Sequence, residues 1–271
     1  MTDDHPDPRR LETLAAELAR IAGAEIVASL GRTLLVDYKG QRDGLRDPVS
    51  EVDRAVETLI RARVGEEYPE HDVVGEEFND RPNAGHPLVW AVDPVDGTAN
   101  FVNGLPLFAA SVGVLREGVP IAGAIWCSCT HALRHGVYSA HRGGDLRFDG
   151  TPMVPVPRPN VRRALLGVPR TDGTGELPFD ARKTGSAALE SAFVAAGLMA
   201  GARFETPNLW DVAGGAALVS AAGGRVRERR GGTWRDLTRF QSDGDDGPGG
   251  WRAPMAIGAP DATHALETWG G

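Results

Sequence analysis

Two aspartates, Asp93 and Asp96, follow the apolar run 88–92 within the sequence D-P-V-D-G-T at 93–98. The apolar run predicts a buried strand, and we expect Pro94 and Gly97 to end it in a turn that aims both carboxylates at one point. Converging carboxylate oxygens suit a hard cation such as Mg²⁺. Asp-Pro and Asp-Gly are also common in solvated turns, so the motif alone leaves that alternative open.

Acidic residues also stand at two other predicted element ends. Glu76 and Glu77 follow the apolar stretch 73–75, and Asp211 precedes an Ala-rich helical stretch. Glutamate pairs commonly lie on a solvated face, and an aspartate before a helix is commonly its N-cap. Because α/β proteins place their chemistry at such element ends, three of them in one chain favour a shared site.

Asp53 has two interpretations that the sequence does not separate. It completes the pattern S-x-x-D at 50–53, the capping box that begins a helix. A carboxylate near the mouth of the same cleft could instead accept a proton from a hydroxyl such as that of Thr98. One residue could serve both purposes.

Hydrophobic periodicity indicates the elements that must position these residues. Helical spacing predicts a first helix from about residue 11 to Gly31 and a second from about 50 to 68. Ala-rich stretches predict further helices over 185–200 and 211–222. Short apolar runs predict strands at 71–75, 88–92, 107–115, 119–127, 136–140 and 161–168, with an extended piece around Phe204.

Pro- and Gly-rich segments divide the chain. The Pro-rich piece 154–159 suits neither a helix nor a sheet interior, so we expect one catalytic unit with an N-terminal lobe at 11–153 and a C-terminal lobe at 160–271. The first lobe would carry most of the acidic candidates and the second would carry Asp211. The stretch 242–250 and the pair at 231–232 predict mobile surface loops, because they contain few apolar side chains.

Composition excludes several functional classes. The 271 residues include 29 Lys plus Arg against 37 Asp plus Glu, a formal net charge of −8 without a basic run, which disfavours nucleic-acid binding. The acidic N-terminus and the lack of a long apolar run predict neither secretion nor a membrane span, so we expect a cytoplasmic protein. Walker, zinc-protease and nucleophile-elbow motifs are missing from the sequence, which leaves a site of carboxylate oxygens that favours Mg²⁺.

The ordered motifs resemble the inositol monophosphatase family of Mg²⁺-dependent, lithium-sensitive phosphomonoesterases. The resemblance covers the chain from about residue 11 to its end and rests on the segments 47–53, 75–77, 93–101, 185–188 and 210–214. It implies an α/β fold, an αβαβα sandwich with the active site between two lobes, and a homodimer. It also implies hydrolysis of a small polyol phosphate, foremost inositol monophosphate, by a metal-activated water.

Metal-binding roles follow from the resemblance at the matching positions. It implies a first Mg²⁺ on Glu76, Asp93 and the backbone carbonyl of Val95, and a second on Asp93, Asp96 and Asp211. A third, weaker ion could rest on Glu76 through waters. Two ions about 3.5–4 Å apart can stabilise both the attacking hydroxide and the leaving oxygen of an in-line displacement.

Catalytic and substrate-binding roles follow in the same way. The resemblance assigns Glu76 to catalysis and pairs Thr98 with Asp53 to position or deprotonate the attacking water. We also expect residues 97–100 to open a helix whose first amide groups hold the phosphate. The implied substrate contacts are Asp96, Gly97, Thr98, Gly185, Ser186, Ala187, Glu205 and Asp211.

Several positions depart from the common family pattern. Phe78 stands where Ser is usual, Asp145 and Gly215 where Ala is usual, and the linker 39–53 is a few residues longer than typical. Glu205, which we expect to be a buried acceptor for substrate hydroxyls, lies five residues before Trp210, one fewer than in many relatives. These departures spare the metal ligands and affect the identity of the substrate.

Other activities fit the same metal site. Histidinol phosphatase, fructose-1,6-bisphosphatase and 3'(2'),5'-bisphosphate nucleotidase are the alternatives within the enzyme class. The residues Asn100 and Phe101 resemble the inositol-phosphatase branch more than the nucleotidase or histidinol-phosphatase branches. From another class, the chain could be a non-catalytic relative that binds a phosphorylated ligand, although all the implied metal ligands are present.

Overall fold

The structure, a computed structural model, describes residues 6–31, 35–38, 48–78, 85–155, 160–170, 179–242, 244 and 247–269. Asp47, most of the linker 39–53 and residues 156–159 lie outside these ranges. The helices of the described chain are α1 Pro8–Ser29, α2 Glu51–Glu67, α3 Thr98–Val102, α4 Ala187–Ala195, α5 Leu209–Ala221 and α6 Pro260–Thr268.

Most strands belong to two mixed sheets, and a short antiparallel pair, β1 Val36–Tyr38 and β2 Pro48–Ser50, precedes α2. The seven-stranded sheet runs in the order β3 Asp72–Gly75, β4 Leu88–Asp96, β5 Ala109–Arg116, β6 Val119–Cys127, β7 Gly136–His141, β8 Arg147–Phe148 and β9 Thr151–Pro152. The six-stranded sheet runs in the order β11 Asp180–Arg182, β10 Leu165–Gly167, β12 Gly201–Phe204, β15 Met255–Gly258, β13 Arg225–Arg230 and β14 Thr233–Asp236.

Helices and sheets stack in five alternating layers. Helix α1 packs on β5, β6 and β7, and α2 packs on β4 beside it. Helices α4 and α5 contact the other face of the same sheet and also strands of the six-stranded sheet, and α6 closes the far side. This arrangement is the αβαβα sandwich that the family resemblance implies, and it confirms the α/β fold class.

Local sequence signals begin the helices that carry function. Helix α2 has the complete capping box, in which the Ser50 side chain caps the first turn and Asp53 accepts the Ser50 amide at 2.9 Å. Its buried face, which includes Val52, Val56 and Ile60, packs toward the sheet. Both N-terminal helices are confirmed, with α1 ending at Ser29, just before Gly31.

The middle helix layer lies unusually close to the seven-stranded sheet. A Cβ atom added at Gly113 would lie 2.7 Å from the backbone nitrogen of Gly214, and one added at Gly123 would lie 2.7 Å from the Gly214 carbonyl oxygen. At Gly215, an added Cβ would lie 2.3 Å from the Ser191 Cβ of α4. Glycines on the sheet and on α5 therefore allow the helix to pack this close to the sheet.

Several boundaries differ from the predictions. The Ala-rich helices are Ala187–Ala195 and Leu209–Ala221, and the strand predicted at 161–168 spans only Leu165–Gly167. The stretch 242–250 is not a bare loop where it is described, because a 3-10 turn at Gly247–Gly250 buries Gly249 and precedes the fully buried Trp251. Strands β13 to β15 and helix α6 were not predicted. The described residues contain no helix long and apolar enough to cross a membrane.

Candidate active site

Strand β4 delivers Asp93 and Asp96 to the site, although the chain does not turn at Pro94 as predicted. The strand continues to Asp96, and its pairing with β5 shifts register between Asp93 and Asp96. Proline is tolerated at such an irregularity because no ladder hydrogen bond is required from it. The turn comes at Gly97, whose φ of +90° is a left-handed conformation that suits glycine.

Glu76 reaches the same edge from the neighbouring strand. Strands β3 and β4 are parallel, and their register pairs Gly75 with Val92, so Glu76 and Asp93 follow at the same level. Glu76 directly follows Gly75, and Asp93 directly follows Val92. The acidic ends of two adjacent strands are therefore brought together, as the sequence predicted.

Asp211 enters from helix α5. The N-cap interpretation of Asp211, which the sequence left open beside a place in the shared site, is wrong, because Asn208 is the N-cap and Asp211 is the third helical residue. Its Oδ2 accepts hydrogen bonds from the Asn208 backbone nitrogen at 2.7 Å and from the Asn208 side-chain nitrogen at 3.2 Å. The capping box holds one oxygen of Asp211 at the start of the helix.

Burial and mutual repulsion raise the pKa values of these carboxyl groups. Burial is the main cause at Asp93, and the charges of Glu76, Asp96 and Asp211 raise its pKa further, well above the ordinary value. Burial raises the pKa of Asp96 to about 7, although hydrogen bonds from Ser186 and Ala188 oppose the shift. Burial, followed by the charge of Asp96, raises the pKa of Asp211 to about 8.

A cluster of buried carboxylates that destabilise one another is suited to divalent cations. Single oxygens of Asp93, Asp96 and Asp211 accept hydrogen bonds, and the second oxygen of each accepts none from the described residues. In the part of the chain that the structure describes, no three His, Cys, Asp or Glu side chains are arranged so that they alone could hold a metal ion. The donor types fit Mg²⁺, which takes few protein oxygens and keeps waters.

Asp53 contacts Thr98 while it also serves the capping box of α2. The Thr98 hydroxyl lies 3.2 Å from Asp53 Oδ1 and 2.8 Å from the Val95 carbonyl oxygen, so its single hydrogen is shared between two acceptors. The second carboxylate oxygen of Asp53 is bound by Ser50. Burial and then the charge of Glu76 raise the pKa of Asp53, against the Ser50 hydrogen bonds that lower it. The geometry of Asp53 is therefore compatible with both interpretations, the helix cap and the contact with the Thr98 hydroxyl.

The loop before α4 meets the end of β4. Ser186 caps α4 and donates a 2.6 Å hydrogen bond to Asp96 Oδ2, which also accepts the Ala188 amide at 2.5 Å. A Cβ added at Gly97 would lie 3.1 Å from the Ser186 Cβ, and Gly185 has a φ of +84°. The two segments predicted to bind substrate are therefore in direct contact.

Glu205 is placed differently from the expectation. Its side chain is 45 % exposed and forms a 2.8 Å ion pair with Arg203, which is 5 % exposed. Arg203 also donates to the backbone oxygens of Leu266, in the last turn of α6, and of Trp269, just past its end. The expectation of a buried acceptor at Glu205 is wrong, because the strand places Arg203 and Glu205 on one face, where they pair.

Sequence reasoning missed residues that hold the site loops. Asn100 donates to the carbonyl oxygens of Leu107 and Thr184, each at 2.7 Å, and so ties α3 to the loop at Gly185. Glu190, whose pKa burial raises to about 7, accepts the Thr184 amide at 3.0 Å. Glu57 accepts the amides of the loop that carries Glu76. No local sequence signal distinguished Glu57, because Glu57 and Arg61 have the spacing of an ordinary exposed helical pair.

Comparisons with known proteins identify the family of this chain. The inositol monophosphatase family matches the chain over residues 7–248. The inositol-1-monophosphatase ImpA of Mycolicibacterium smegmatis is 34% identical over 245 residues, which cover 84% of this chain and 86% of the relative. The Nus factor SuhB of Escherichia coli is 30% identical over 240 residues, covering 81% of this chain and 85% of SuhB.

Solved structures are similar over nearly the whole chain. The SuhB protein of Bartonella henselae superposes with a TM-score of 0.75 at 25% identity, covering 95% of this chain and 97% of that one. The SaIMPase-II structure with bound inositol monophosphate superposes with a TM-score of 0.70 at 26% identity, covering 95% and 92%. SaIMPase-II with bound 2'-AMP gives a TM-score of 0.71 at 26% identity, covering 96% and 92%. With the family matched from residue 7 to residue 248, the chain belongs to the inositol monophosphatase family, a class of phosphoric monoester hydrolases.

Proposed function

We propose that this protein is a Mg²⁺-dependent phosphomonoesterase that acts on a small polyol phosphate, foremost inositol monophosphate. The observation that carries the proposal is the convergence of four carboxylates, in which the charge of Glu76 raises the pKa values of Asp93, Asp96 and Asp211. A cluster of this kind needs counter-charge at neutral pH, and a phosphate ester bound among carboxylates needs it too. Divalent cations supply it to both.

Two ions, with a third more weakly bound, are proposed to lie among these carboxylates. Glu76, Asp93 and the Val95 carbonyl oxygen would hold the first, and Asp93, Asp96 and Asp211 the second. When bound, the cations neutralise phosphate charge and make a water molecule more acidic. Because Asp93 belongs to both sets, it is the ligand whose loss should be least tolerated.

Thr98 and Asp53 are proposed to move the proton. A lone pair of the Thr98 hydroxyl would accept the proton of the attacking water while the hydroxyl hydrogen passes to Asp53. The raised pKa of Asp53 favours this transfer, because a more basic carboxylate accepts a proton more readily. The water oxygen would attack phosphorus from one side, and the alcohol oxygen would leave from the opposite side and take a proton from solvent water.

Backbone amides and the second lobe are proposed to hold the substrate. Helix α3 has only five residues, so local amide groups at Gly97 and Thr98, rather than a long helix dipole, would contact the phosphate. Gly185, Ser186 and Ala187 face the same segment from the other lobe. Glu205, paired with Arg203, would lie at the outer side of the site, where the leaving group's hydroxyls are expected.

Phosphate release from a substrate panel tests this proposal. The panel contains inositol 1-phosphate, histidinol phosphate, fructose 1,6-bisphosphate, a 3',5'-bisphosphate nucleotide and 2'-AMP, each with Mg²⁺ and with EDTA. We expect turnover only with Mg²⁺ and the highest kcat/KM with inositol 1-phosphate. A higher value for another member would reassign the substrate, and no turnover of any member would favour a non-catalytic phosphate-binding relative. Light scattering of the purified chain tests the proposed homodimer.

A further inference from the structure

An ion pair on the inner face of α2 lies directly beneath the loop that carries Glu76. Glu57 is completely buried, and Arg61, one helical turn later, has a side chain only 15 % exposed. The Arg61 Nε and Nη2 atoms each lie 2.9 Å from Glu57 Oε1. Both guanidinium nitrogens therefore share one carboxylate oxygen, and the other oxygen, Oε2, accepts a backbone amide of the loop.

The pair binds the loop through its backbone amides, which donate to Glu57, and through its backbone carbonyl oxygens, which accept from Arg61. Glu57 Oε2 accepts the amide of Glu77 at 2.7 Å, and Glu57 Oε1 accepts the amide of Phe78 at 3.3 Å. Arg61 donates to the carbonyl oxygen of Val73 at 3.1 Å and to that of Phe78 at 3.0 Å. The contacts therefore bracket Glu76 on its two sides along the chain.

The loop packs closely against the Glu57 carboxylate at Gly75. A Cβ atom added at Gly75 would lie 2.1 Å from Glu57 Oε1. The φ of Gly75 is not in the left-handed region, so the glycine is required for space rather than for conformation. Phe78 lies with its ring 5.8 Å from the Arg61 guanidinium carbon, which gives the unusual residue at this position a partner.

A buried ion pair is poor evidence for added stability, because its desolvation penalty offsets its attraction. Its effect is clearer on geometry, since each Glu57 oxygen accepts a backbone amide and both terminal nitrogens of Arg61 donate to backbone carbonyl oxygens. The carboxylate of Glu76 must meet that of Asp93 on the adjacent strand, and a displaced loop would separate them.

We propose that Glu57 and Arg61 are positioning residues that set Glu76 for cation binding, with Phe78 covering the pair. The inference rests on the proposed metal-dependent function and deepens it. It assigns to α2 a role in metal affinity through two side chains that touch neither the cation nor the substrate.

Calorimetric titration of the purified metal-free protein with Mg²⁺ tests the inference without any turnover. We expect Arg61→Met, which keeps the length and apolar packing of the side chain, to weaken Mg²⁺ binding about tenfold. Gly75→Ala should do the same by displacing Glu57. The matched control is Arg63→Ala on the same helix, whose ion pairs with Glu17, Glu66 and Glu67 are partly exposed. It should bind Mg²⁺ like the wild type.

Activity and amide exchange give two further readouts. The Mg²⁺ concentration for half-maximal phosphate release should rise in Arg61→Met, while kcat at saturating Mg²⁺ stays within about threefold of the wild type, because a positioning defect is overcome by mass action. Hydrogen exchange at the amides of Glu77 and Phe78 should accelerate in Arg61→Met. Glu57→Gln, which keeps an acceptor oxygen for one amide, should show an intermediate effect on both.

The outcomes separate this inference from the proposed function. Wild-type Mg²⁺ affinity in folded Arg61→Met and Gly75→Ala would overturn the positioning role while leaving the function intact. If Arg61→Met unfolds, Glu57→Gln and Gly75→Ala decide the question by the same titration. A wild-type protein that neither binds Mg²⁺ nor releases phosphate would overturn the proposed function before any variant is compared.

Discussion

The hydroxyl of Ser186 donates a 2.6 Å hydrogen bond to Oδ2 of Asp96, a residue 90 positions earlier in the chain. The same hydroxyl accepts the Leu189 amide at 3.2 Å and so caps α4. One side chain therefore starts a helix of the middle layer and orients a carboxylate at the end of β4. Folding of the helix and geometry of the candidate metal ligand are linked through this contact.

Ser186→Ala should lower both stability and activity. Loss of the cap should reduce the free energy of unfolding by about 1 kcal/mol, and Asp96 would keep only the Ala188 amide as a donor. Urea unfolding and Mg²⁺-dependent phosphate release measure the two effects. Ser191→Ala is the control, because its hydroxyl donates only to the Ala187 carbonyl within α4. Equal activity in the two variants would contradict the link.

Asp93→Asn should abolish turnover and leave the metal-free protein at least as stable as the wild type. The pKa of Asp93 is raised by burial and by the charges of its acidic neighbours, so a neutral amide relieves repulsion. The amide oxygen can still accept the Val95 amide. Melting in EDTA and phosphate release in Mg²⁺ give the two measurements. Near wild-type turnover would mean that Asp93 is not shared between two ions.

Asp53→Asn should separate the capping role from the catalytic one. An amide oxygen can still accept the Ser50 backbone N–H, but it cannot take a proton passed through Thr98. We expect kcat to fall by about 10²-fold or more with little change in Tm. Glu51→Gln, which changes an exposed acid in the same helical turn, is the control. A lower Tm with unchanged kcat would leave Asp53 with the cap alone.

The metal-free protein should lose stability as pH rises from about 4 to about 8. The folded pKa values of Asp96 and Asp211, about 7 and about 8, lie above the ordinary value of 3.8. Between these limits the folded state binds more protons than the unfolded state, so increasing pH favours unfolding. Chemical unfolding in EDTA across this range measures the slope. Added Mg²⁺ should stabilise the protein more at pH 8 than at pH 5, and a flat profile in EDTA would contradict the raised pKa values.

Glu205→Ala should reduce stability and test the contact with the leaving group. Arg203 would lose its carboxylate partner while remaining buried, at a cost of about 1–3 kcal/mol. If Glu205 binds substrate hydroxyls, kcat/KM should fall for inositol 1-phosphate but not for a small aryl phosphate without hydroxyls. Equal losses on both substrates, or none on either, would show that Glu205 does not recognise the leaving group.

Short-range signals predicted the parts of the site that depend on neighbouring residues. The capping box at Ser50 and Asp53 and the turn at Gly97 are local patterns, and both are present. At Asp211 the local pattern was misjudged by one helical turn, since Asn208 also suits an N-cap. The turn expected at Pro94 was displaced because the pairing of β4 with β5 extends past it.

Long-range partners could not be predicted in the same way. Glu57 and Arg61 have the spacing of an ordinary exposed helical pair, and only the tertiary structure buries them under the loop of Glu76. Strand β13 has the sequence R-V-R-E-R-R, too charged to suggest a strand, although Gly231 and Gly232 with positive φ mark its hairpin to β14. Glu228 of this strand is buried beside Trp251, whose indole N–H donates a hydrogen bond to the Glu228 carboxylate. This tertiary contact is what the sequence of the strand alone does not show.

Contact between α5 and the sheet through Gly113, Gly123 and Gly214 constrains how this protein could be evolved toward new phosphate esters. A Cβ at Gly113 or Gly123 would meet backbone atoms of Gly214 within 3 Å, which no change of side-chain rotamer can relieve, and a Cβ at Gly214 would lie 2.8 Å from the Ser111 hydroxyl oxygen. Selection from a random library should therefore retain glycine there and collect its productive substitutions near Glu205, where the chain is open to solvent. Substrate preference can then change near Glu205 while the spacing between Asp211 on α5 and Asp93 on β4 stays the same.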